Sequence, residues 1–500
     1  MRIGIIDILA LPAHHPSERL YRVLFTKQFM SITPQAISVW CRRLGHRTFY
    51  AAYCGIGDAH TLLPRDLDVV FVATYTQASP IAYALGIWYR RAGARTVIGG
   101  PHAKAFPADC RRFFDLVVQD CDESLIADIL AGHFDPGSVI SSARPFDDVP
   151  TVEERMPEIR ASAYYAGGRW PLAFSTIPML ASVGCPYRCD FCIDWSTSYR
   201  ELPHARLAAD LQYIAGHARR AFMMFHDPNF AVKFDQVFAV LEGIPPDRRP
   251  PYMFESSLTV LRGERLARLK HTNCAMAAPG VESWTDYSAK AGVGRTTGMA
   301  KVARVAEHFR QLSEHVPYLQ ANFIFGLDSD RGDGPVQLTK EFMDRTPFVW
   351  PAINIPMPFG GTPLYEQLLA DDRVLTAMPF GFYYAPYLVT IPRHYDPADY
   401  YAKLLDLLEH ATSPSMLARR LSSTSSRRVR LIHRVRTAGT RAAMTQYRTI
   451  AALLKSDARF RAFHEGRSAR LPDFYERAYE RMLGQYASLL APTDRTPLTS

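Results

Sequence analysis

The chain has 500 residues, of which 48% are hydrophobic and 21% are charged, so it has the composition of a globular protein with two or three domains. These values exclude a low-complexity or disordered chain. No apolar run reaches the roughly 18 residues that a membrane span requires. The first residues lack the cleavage pattern of a signal peptide, so we expect a cytoplasmic protein.

The net charge of +9 is concentrated in one segment. Residues 411–456 contain nine arginines and one lysine but no acidic residue, which leaves the rest of the chain at about −1. Such a segment is typical of a surface that meets nucleic acid, anionic lipid or an acidic partner. A solvated helix face that only aids solubility is the alternative that the composition favours.

Residues 1–145 alternate apolar strand-like runs with segments of helical periodicity. This alternation predicts a Rossmann-like parallel sheet with helical crossovers, whose ligands bind beyond the carboxyl ends of the strands. The predicted strands are Arg2–Asp7, Arg47–Tyr53, Leu67–Tyr75, Arg95–His102 and Phe114–Asp120.

A second alternating series extends over residues 179–395. It predicts a partial (β/α)6 barrel of the TIM type, with its chemistry at the carboxyl-terminal mouth of the strands. Residues 146–178, rich in Pro and Arg, are predicted to be a linker, and residues 396–500 a helical C-terminal region. The predicted barrel strands are Met179–Val183, Ala221–His226, Tyr252–Ser257, Cys274–Gly280, Tyr318–Leu327 and Ala352–Pro358.

Three of the eight cysteines fall on one short segment directly after the first predicted barrel strand. The segment reads Cys185-Pro-Tyr-Arg-Cys189-Asp-Phe-Cys192. Eight cysteines in a chain of this length are too few for a disulfide framework, so the clustered three indicate a metal site. The other five are scattered and are expected to be reduced core thiols.

Zinc fits this spacing poorly, because a structural zinc site takes four ligands and no fourth ligand follows in sequence. Three thiolates instead suit three irons of a 4Fe–4S cubane and leave the fourth iron without a protein ligand. An electron carrier normally closes that position with a fourth cysteine. An open iron is available to the amino and carboxylate groups of S-adenosylmethionine.

The Cys-x3-Cys-x2-Cys spacing, with an aromatic residue before the last cysteine, resembles the radical S-adenosylmethionine superfamily. The resemblance implies that Cys185, Cys189 and Cys192 hold a 4Fe–4S cluster that cleaves S-adenosylmethionine to a 5′-deoxyadenosyl radical. That radical then abstracts hydrogen from an unreactive C–H bond, so that the cofactor carries the hard chemistry.

Later barrel segments extend this resemblance in the expected order. They are Phe225-His-Asp-Pro-Asn-Phe230, Gly280-Val-Glu-Ser283, Asn322-Phe-Ile-Phe-Gly-Leu-Asp328 and Pro358-Phe-Gly-Gly-Thr-Pro-Leu-Tyr365. The residues that the resemblance implies as contacts of S-adenosylmethionine are Asp227, Glu282, Ser283, Asn322 and Gly326.

The N-terminal segment resembles the cobalamin-binding domain that precedes many barrels of this superfamily. The resemblance rests on the run Leu67–Gln77 and on Val97-Ile-Gly-Gly-Pro-His102. No Asp-x-His-x-x-Gly is present, so no histidine is offered as a lower cobalt ligand in the usual way. A scaffold or substrate-binding domain is the alternative. The residues implied for a corrinoid are Thr74, Thr76, Gly99 and Gly100.

The hypothesis that follows is a radical S-adenosylmethionine enzyme, which with cobalamin would methylate an unactivated carbon of a small biosynthetic substrate. An electron donor such as flavodoxin or ferredoxin is the expected partner. Cyclisation or rearrangement without methyl transfer stays open, as does modification of RNA, which only the basic segment favours. A non-catalytic iron–sulfur sensor is the rival from another class.

Overall fold

Two parallel β-sheets carry the described part of the chain, which comprises residues 1–24, 26, 29–162, 176–218 and 220–498 in this computed structural model. The predicted fold class is confirmed: a Rossmann-like sheet precedes an open barrel of β/α units, and a helical region follows it. Among the described residues, no helix is both long and apolar enough to span a bilayer.

The first sheet has six described strands in the order β2-β1-β3-β4-β5-β6, all of them parallel. Its central strands are continuous apolar runs, because a parallel sheet covered by helices on both faces buries every side chain. The order reverses between β1 and β3, so their carboxyl ends form the crevice of the sheet. The strands are β1 (Arg2–Ile8), β2 (Arg47–Tyr53), β3 (Val69–Thr74), β4 (Arg95–Gly99), β5 (Leu116–Val118) and β6 (Ser138–Ile140).

Helices cover both faces of this sheet. The short edge strand β6 has no counterpart among the predicted strands, because three residues give no readable alternation. The helices are α1 (Pro16–Leu24), α2 (Ile32–Arg43), α3 (Ser79–Arg91), α4 (Pro101–Ala105), α5 (Pro107–Cys110), α6 (Glu123–Ala131) and α7 (Val152–Ser162).

Helix α7 lies inside the predicted linker, which is therefore not free of regular structure. Its Pro157 and sparse apolar residues hid it from periodicity. Arg155 of α7 is fully buried and donates to Gln35 Oε1 at 2.8 Å and to the Pro178 carbonyl at 3.3 Å, so α7 joins the first sheet to the second. Residues 163–175 of the predicted linker lie outside the described residues.

The second sheet has six described parallel strands in the order β14-β13-β12-β11-β10-β7, which is an open barrel. A small antiparallel pair, β8 and β9, brackets the cysteine segment. The strands are β7 (Thr176–Met179), β8 (Ser182–Val183), β9 (Arg200–Glu201), β10 (Phe222–Phe225), β11 (Tyr252–Ser257), β12 (Cys274–Glu282), β13 (Tyr318–Ile324) and β14 (Val349–Asn354).

The predicted first and last barrel strands are displaced from the observed ones. The apolar run through Val183 is divided between β7 and β8, a division that hydrophobicity does not reveal. Strand β14 begins three residues before the predicted start and includes Pro351. Proline is tolerated there because β14 is an edge strand of the sheet.

Amphipathic helices pack outside the second sheet, and further helices form the C-terminal region. The barrel helices are α8 (His204–His217), α9 (Phe234–Glu242), α10 (Arg265–His271), α11 (Gly298–Ser313), α12 (Gly334–Arg345) and α13 (Pro363–Ala370). The C-terminal helices are α14 (Pro397–Thr412), α15 (Pro414–Ser422), α16 (Arg427–Ser456), α17 (Ala458–His464) and α18 (Asp473–Leu483).

Candidate functional site

The three clustered cysteines lie on the loop that joins β8 to β9. Gly184 opens this loop at φ +68, and a Cβ at that position would meet the Ser198 carbonyl oxygen at 2.3 Å. The chain at residues 197–198 therefore passes close to Gly184, where only a glycine leaves room for it. The Cys185 amide donates to the Thr197 carbonyl at 3.3 Å. This closure makes residues 184–199, the cysteine loop, one folded unit.

Cys185 is buried, whereas Cys189 and Cys192 are half-buried. Burial raises the pKa of Cys189 to about 11, and Lys290 opposes that rise. Burial also raises the pKa of Cys192. Burial therefore favours the protonated form of Cys189 and Cys192 until a metal replaces the protons.

Among the described residues, no three His, Cys, Asp or Glu side chains are placed to hold a single metal ion. A 4Fe–4S cubane needs a different arrangement of ligands, because each thiolate binds a separate iron and the cysteine sulfurs stand farther apart than around one ion. Three thiols on one short loop, with Lys290 close enough to shift the pKa of Cys189 and Cys192, fit that donor set.

The segment between β12 and α11 covers the cysteine loop from the barrel side. Tyr287 donates a hydrogen bond to Asp190 and stacks on Phe191, with ring centroids 6.0 Å apart. The Lys290 ammonium lies 5.9 Å from the centre of the Phe191 ring and 3.5 Å from Glu282 Oε1. A cation and a carboxylate thus stand beside the thiols, and sequence analysis did not single out the cation.

Glu282 ends β12 in a strained conformation. Its φ is +65, which is rare for a non-glycine residue, and the pairing with β13 shifts register there. Gly280 makes room for it, because a Cβ on Gly280 would meet Glu282 Oε1 at 2.3 Å. Burial raises the pKa of Glu282, against the effect of Lys290. Ser283 is buried beside it, and its hydroxyl lies 3.1 Å from that of Thr285.

Asp227 follows β10 and is buried, but its contacts differ from those expected of a cofactor ligand. Its two carboxylate oxygens accept from the Ala181 amide at 3.1 and 3.2 Å, and Oδ1 also accepts from the Ser182 hydroxyl at 2.6 Å. Asp227 therefore anchors the approach to the cysteine loop. Burial raises its pKa to about 6, although these hydrogen bonds oppose the shift.

Asn322 and Gly326 lie on and after β13. Asn322 faces the inner surface of the barrel, accepts from Gln320 Nε2 at 2.7 Å and donates to the Ala278 carbonyl at 3.1 Å. Gly326 has φ +99, and a Cβ there would meet the Tyr400 ring at 2.3 Å. Only glycine fits that position, since α14 presses Tyr400 against the chain.

Glu255 is a further residue that sequence analysis did not identify. Tyr252 and Phe254 of β11 pack under the helices, so by strand alternation Glu255 points to the inner face of the barrel. It is exposed to water from the mouth, yet the surrounding protein raises its pKa by desolvation, with Lys290 opposing. A carboxylate directly after three apolar residues of a predicted strand was the available signal.

In the first sheet, Thr74 and Thr76 do not line an opening as expected. Both are buried. The Thr74 hydroxyl donates to the Tyr75 carbonyl at 3.1 Å, and that of Thr76 lies 3.4 Å from His102 Nδ1. Their hydroxyls are committed within the protein because the α3 and α4 termini pack against them. Their role toward a corrinoid stays a prediction.

Gly99 and Gly100, in contrast, are half-exposed at the carboxyl end of β4. Gly100 has φ +89, and a Cβ there would meet the Thr74 backbone at 3.1 Å. Four residues later, Lys104 reaches across to the cysteine loop, 3.3 Å from Thr197 Oγ1 and 3.7 Å from Asp194 Oδ1. The glycine turn of the first sheet and the cysteine loop therefore lie side by side.

No family model matches the chain. Two proteins of Chlorobaculum tepidum are similar in sequence. The bacteriochlorophyllide d C-12(1)-methyltransferase is 23% identical over 327 residues, which cover 62% of this chain and 68% of that protein. The bacteriochlorophyllide d C-8(2)-methyltransferase is 21% identical over 356 residues, which cover 68% and 76%.

Solved structures share the fold. The radical S-adenosylmethionine methyltransferase TsrM from Kitasatospora setae, with cobalamin and a [4Fe-4S] cluster bound, has a TM-score of 0.54 at 15% identity and covers 74% of this chain and 78% of its own. The cobalamin-dependent S-adenosylmethionine radical enzyme OxsB, with aqua-cobalamin bound, has a TM-score of 0.58 at 13% identity and covers 98% and 76%. The resemblance read from the cysteine segment is thereby confirmed at the level of the fold.

Proposed function

We propose that the protein is a cobalamin-dependent radical S-adenosylmethionine enzyme that methylates a carbon of a small-molecule substrate. The observation that carries the proposal is the cysteine loop, held under Lys290 and Glu282 at the mouth of an open barrel. The similarity to two methyltransferases and to two cobalamin-binding radical enzymes supports the choice of methylation over cyclisation or rearrangement.

Cys185, Cys189 and Cys192 would hold the 4Fe–4S cluster, which, once reduced, supplies the electron that cleaves S-adenosylmethionine. Lys290 offsets negative charge beside the thiolates. Glu282, the last residue of β12, is the carboxylate available to the cofactor's polar groups. Ser283, Asn322 and Gly326 follow the ends of adjacent strands and would complete the nucleoside contacts.

In this proposal Asp227 does not contact the cofactor and acts as a positioning residue. Its carboxylate holds Ala181 and Ser182, the residues that lead into the cysteine loop. Glu255 is placed to contact the substrate, since water reaches it from the mouth and no salt bridge within the described residues neutralises it. A substrate with a hydrogen-bond donor near the reacting carbon suits that carboxylate.

Cobalamin would lie between the two sheets, above Gly99 and Gly100 and against the cysteine loop. The half-exposed glycine turn permits close approach of a flat ring, and Lys104 fixes the distance between the two walls. Transfer of a methyl group needs the donor and the substrate to face each other, so this placement requires the substrate at the mouth of the barrel beside the cysteine loop. Thr74 would support this turn through its backbone, against which Gly100 packs, and Thr76 through its contact with His102.

The reaction also requires an electron donor and reduced thiols. A flavodoxin or ferredoxin would supply the electron, and a reducing compartment such as the cytoplasm would keep the three thiols available for iron.

The test is anaerobic reconstitution with iron, sulfide and hydroxocobalamin, followed by gel filtration. We expect about four irons and one cobalt per chain, and 5′-deoxyadenosine on addition of S-adenosylmethionine and dithionite. A cluster without 5′-deoxyadenosine would favour the sensor instead. Cluster and 5′-deoxyadenosine without retained cobalt would remove the methyl carrier and leave cyclisation or rearrangement.

A further inference from the structure

The basic segment 411–456 is not only a solvated helix face. It forms α15, α16 and their connection, and some of its polar residues are withdrawn from water. Arg420 and His433 are 0% exposed and Thr437 is 1% exposed. A side chain that carries a permanent charge is rarely buried this far without a partner. The segment therefore has an inward-facing part that solubility does not explain.

This inward part lies at the base of the barrel. Val429 of α16 packs against Tyr318 and Trp350, which stand at the beginnings of β13 and β14. In a parallel sheet the amino-terminal ends of all strands lie at the same end of the sheet. The cysteine loop follows the carboxyl-terminal end of β7 and β8, so it lies at the opposite end. Helix α16 thus closes the barrel at the end remote from the cysteine loop.

Two guanidinium groups meet there around one indole. Arg420 lies 4.9 Å and Arg436 lies 4.8 Å from the centre of the Trp350 ring. Arg436 also donates to Gln320 and, at 3.0 Å, to the Tyr318 hydroxyl. Each cation is attracted to the ring, but the two cations repel each other.

In the described part of the chain, no carboxylate balances this pair. Within the described residues, neither Arg420 nor Arg436 forms an ion pair with Asp or Glu, and the groups that shift the pKa of Arg420 after burial are Tyr318 and Arg436. Burial lowers the pKa of Arg420 to about 10. An unpaired buried charge costs several kcal/mol, so such a cluster favours a counter-ion.

Buried polar atoms without hydrogen-bond partners lie on the same two helices, and the His433 ring stands 5.3 Å from that of Tyr318. Arg420 donates through Nη1 to the Ala411 carbonyl, but its Nε and Nη2 are buried without a partner among the residues that the structure describes. Both ring nitrogens of His433 and the hydroxyl of Thr437 are also buried without one. Buried polar atoms normally have partners, so these five atoms, two of them on Arg420 itself, indicate a missing hydrogen-bonding group.

We propose that Arg420, Arg436, His433 and Thr437 form a binding site for an oxyanion, a carboxylate or phosphate group, at the base of the barrel. An oxyanion supplies the negative charge and several acceptors at once, and a guanidinium matches its geometry in bidentate fashion. The inference stands on the charge and hydrogen-bond balance of α15 and α16, and it is independent of the reaction proposed at the mouth.

The experiment uses the full chain labelled with 5-fluorotryptophan, with the Trp350 signal in the ¹⁹F NMR spectrum assigned by Trp350→Phe. Phosphate and acetate are titrated separately at constant ionic strength against chloride. We expect a saturable shift of the Trp350 signal with at least one of them. The two arms distinguish a phosphate-bearing ligand from a carboxylate-bearing one.

The matched variants are Arg436→Gln and Arg434→Gln, because Arg434 lies on the same helix but is exposed to solvent. Arg436→Gln should weaken the apparent affinity at least tenfold, while Arg434→Gln should bind as the wild type does. If Arg436→Gln does not fold, the anion-dependent rise in Tm of the wild type and Arg434→Gln decides the question. Absence of a saturable response in the wild type, or equal responses in both variants, would overturn the proposal.

Discussion

Lys104, on the short helix after the fourth strand of the first sheet, places its ammonium 3.7 Å from the carboxylate of Asp194, two residues beyond the last clustered cysteine. The same ammonium lies 3.3 Å from Asp120 of its own sheet. Burial raises the pKa of Asp194, and Lys104 opposes that rise. One lysine therefore ties the edge of the first sheet to the loop that would hold the cluster.

The Lys104–Asp194 contact should limit opening of the cysteine loop. We expect Lys104→Met and Asp194→Asn each to speed amide hydrogen exchange in residues 184–199 about two- to fivefold, since partly exposed ion pairs contribute about 0.5–1 kcal/mol. The double variant should exchange no faster than either single one. Lys104→Arg is the control that keeps the charge. Additive effects in the double variant would show that the two residues act separately.

Each of Cys185, Cys189 and Cys192 should be indispensable for the cluster. Replacing any one by Ala removes a ligand of one iron, so iron content and the visible absorbance of the reconstituted protein should fall to background, and 5′-deoxyadenosine should not form. Cys121→Ala is the control, because Cys121 is buried in the core of the first sheet. A variant that kept a full cluster without one of the three cysteines would refute the ligand assignment.

Gly280 should matter through Glu282. In Gly280→Ala the new Cβ would stand 2.3 Å from Glu282 Oε1, so the carboxylate must move. We expect binding of S-adenosylmethionine to the reconstituted protein, measured by calorimetry, to weaken roughly tenfold, the equivalent of one hydrogen bond to a charged group, while iron content stays the same. Gly216→Ala in α8 is the control, since a Cβ there meets open space. Unchanged affinity in Gly280→Ala would remove Glu282 from the cofactor site.

Lys290 should set the reduction potential of the cluster. Its positive charge beside the thiolates favours the more negative reduced state, so Lys290→Met should lower the potential by an amount on the order of tens of millivolts. An EPR-monitored redox titration measures this. Lys290→Arg retains the charge and should stay near the wild-type potential. Equal potentials in Lys290→Met and the wild type would place the ammonium too far from the iron.

Titration of Asp227 should make the free energy of unfolding fall as the pH rises. Because burial raises its folded pKa to about 6, above the usual 3.8, the folded protein holds this proton more tightly than the unfolded chain does. Its contribution to the free energy of unfolding is therefore full below pH about 4 and is lost as the pH rises to about 6, a change of about 3 kcal/mol at most.

Asp227→Asn removes this titration. The difference in Tm between the wild type and Asp227→Asn should therefore move against the wild type between pH 4 and 6 and then stay level. Asp235→Asn is a suitable control, because that carboxylate is exposed on α9. A constant difference across this range would mean that Asp227 titrates normally.

Much of the secondary structure can be predicted from the sequence, because the alternation of apolar runs with helical segments is a local pattern. Periodicity predicted β2 and β11 at their observed bounds. It failed for α7, where Pro157 interrupts the pattern and stability comes from the Arg155 contacts. It also placed the bounds of β7 and β14 wrongly, because the extent of an edge strand is set by pairing with its neighbour rather than by its own composition.

Some residues of the candidate site could likewise be identified from the sequence, and others only from the folded structure. The cysteines are recognisable from sequence because the ligand role proposed for them depends on spacing within eight residues. Glu282 is recognisable because it lies in the Gly280–Ser283 motif at the end of a predicted strand. Lys290 and the Arg420–Arg436 pair carry no local signal in the sequence. Their roles arise from charge and burial, which depend on distances between segments far apart in the chain, and only the folded structure sets those distances.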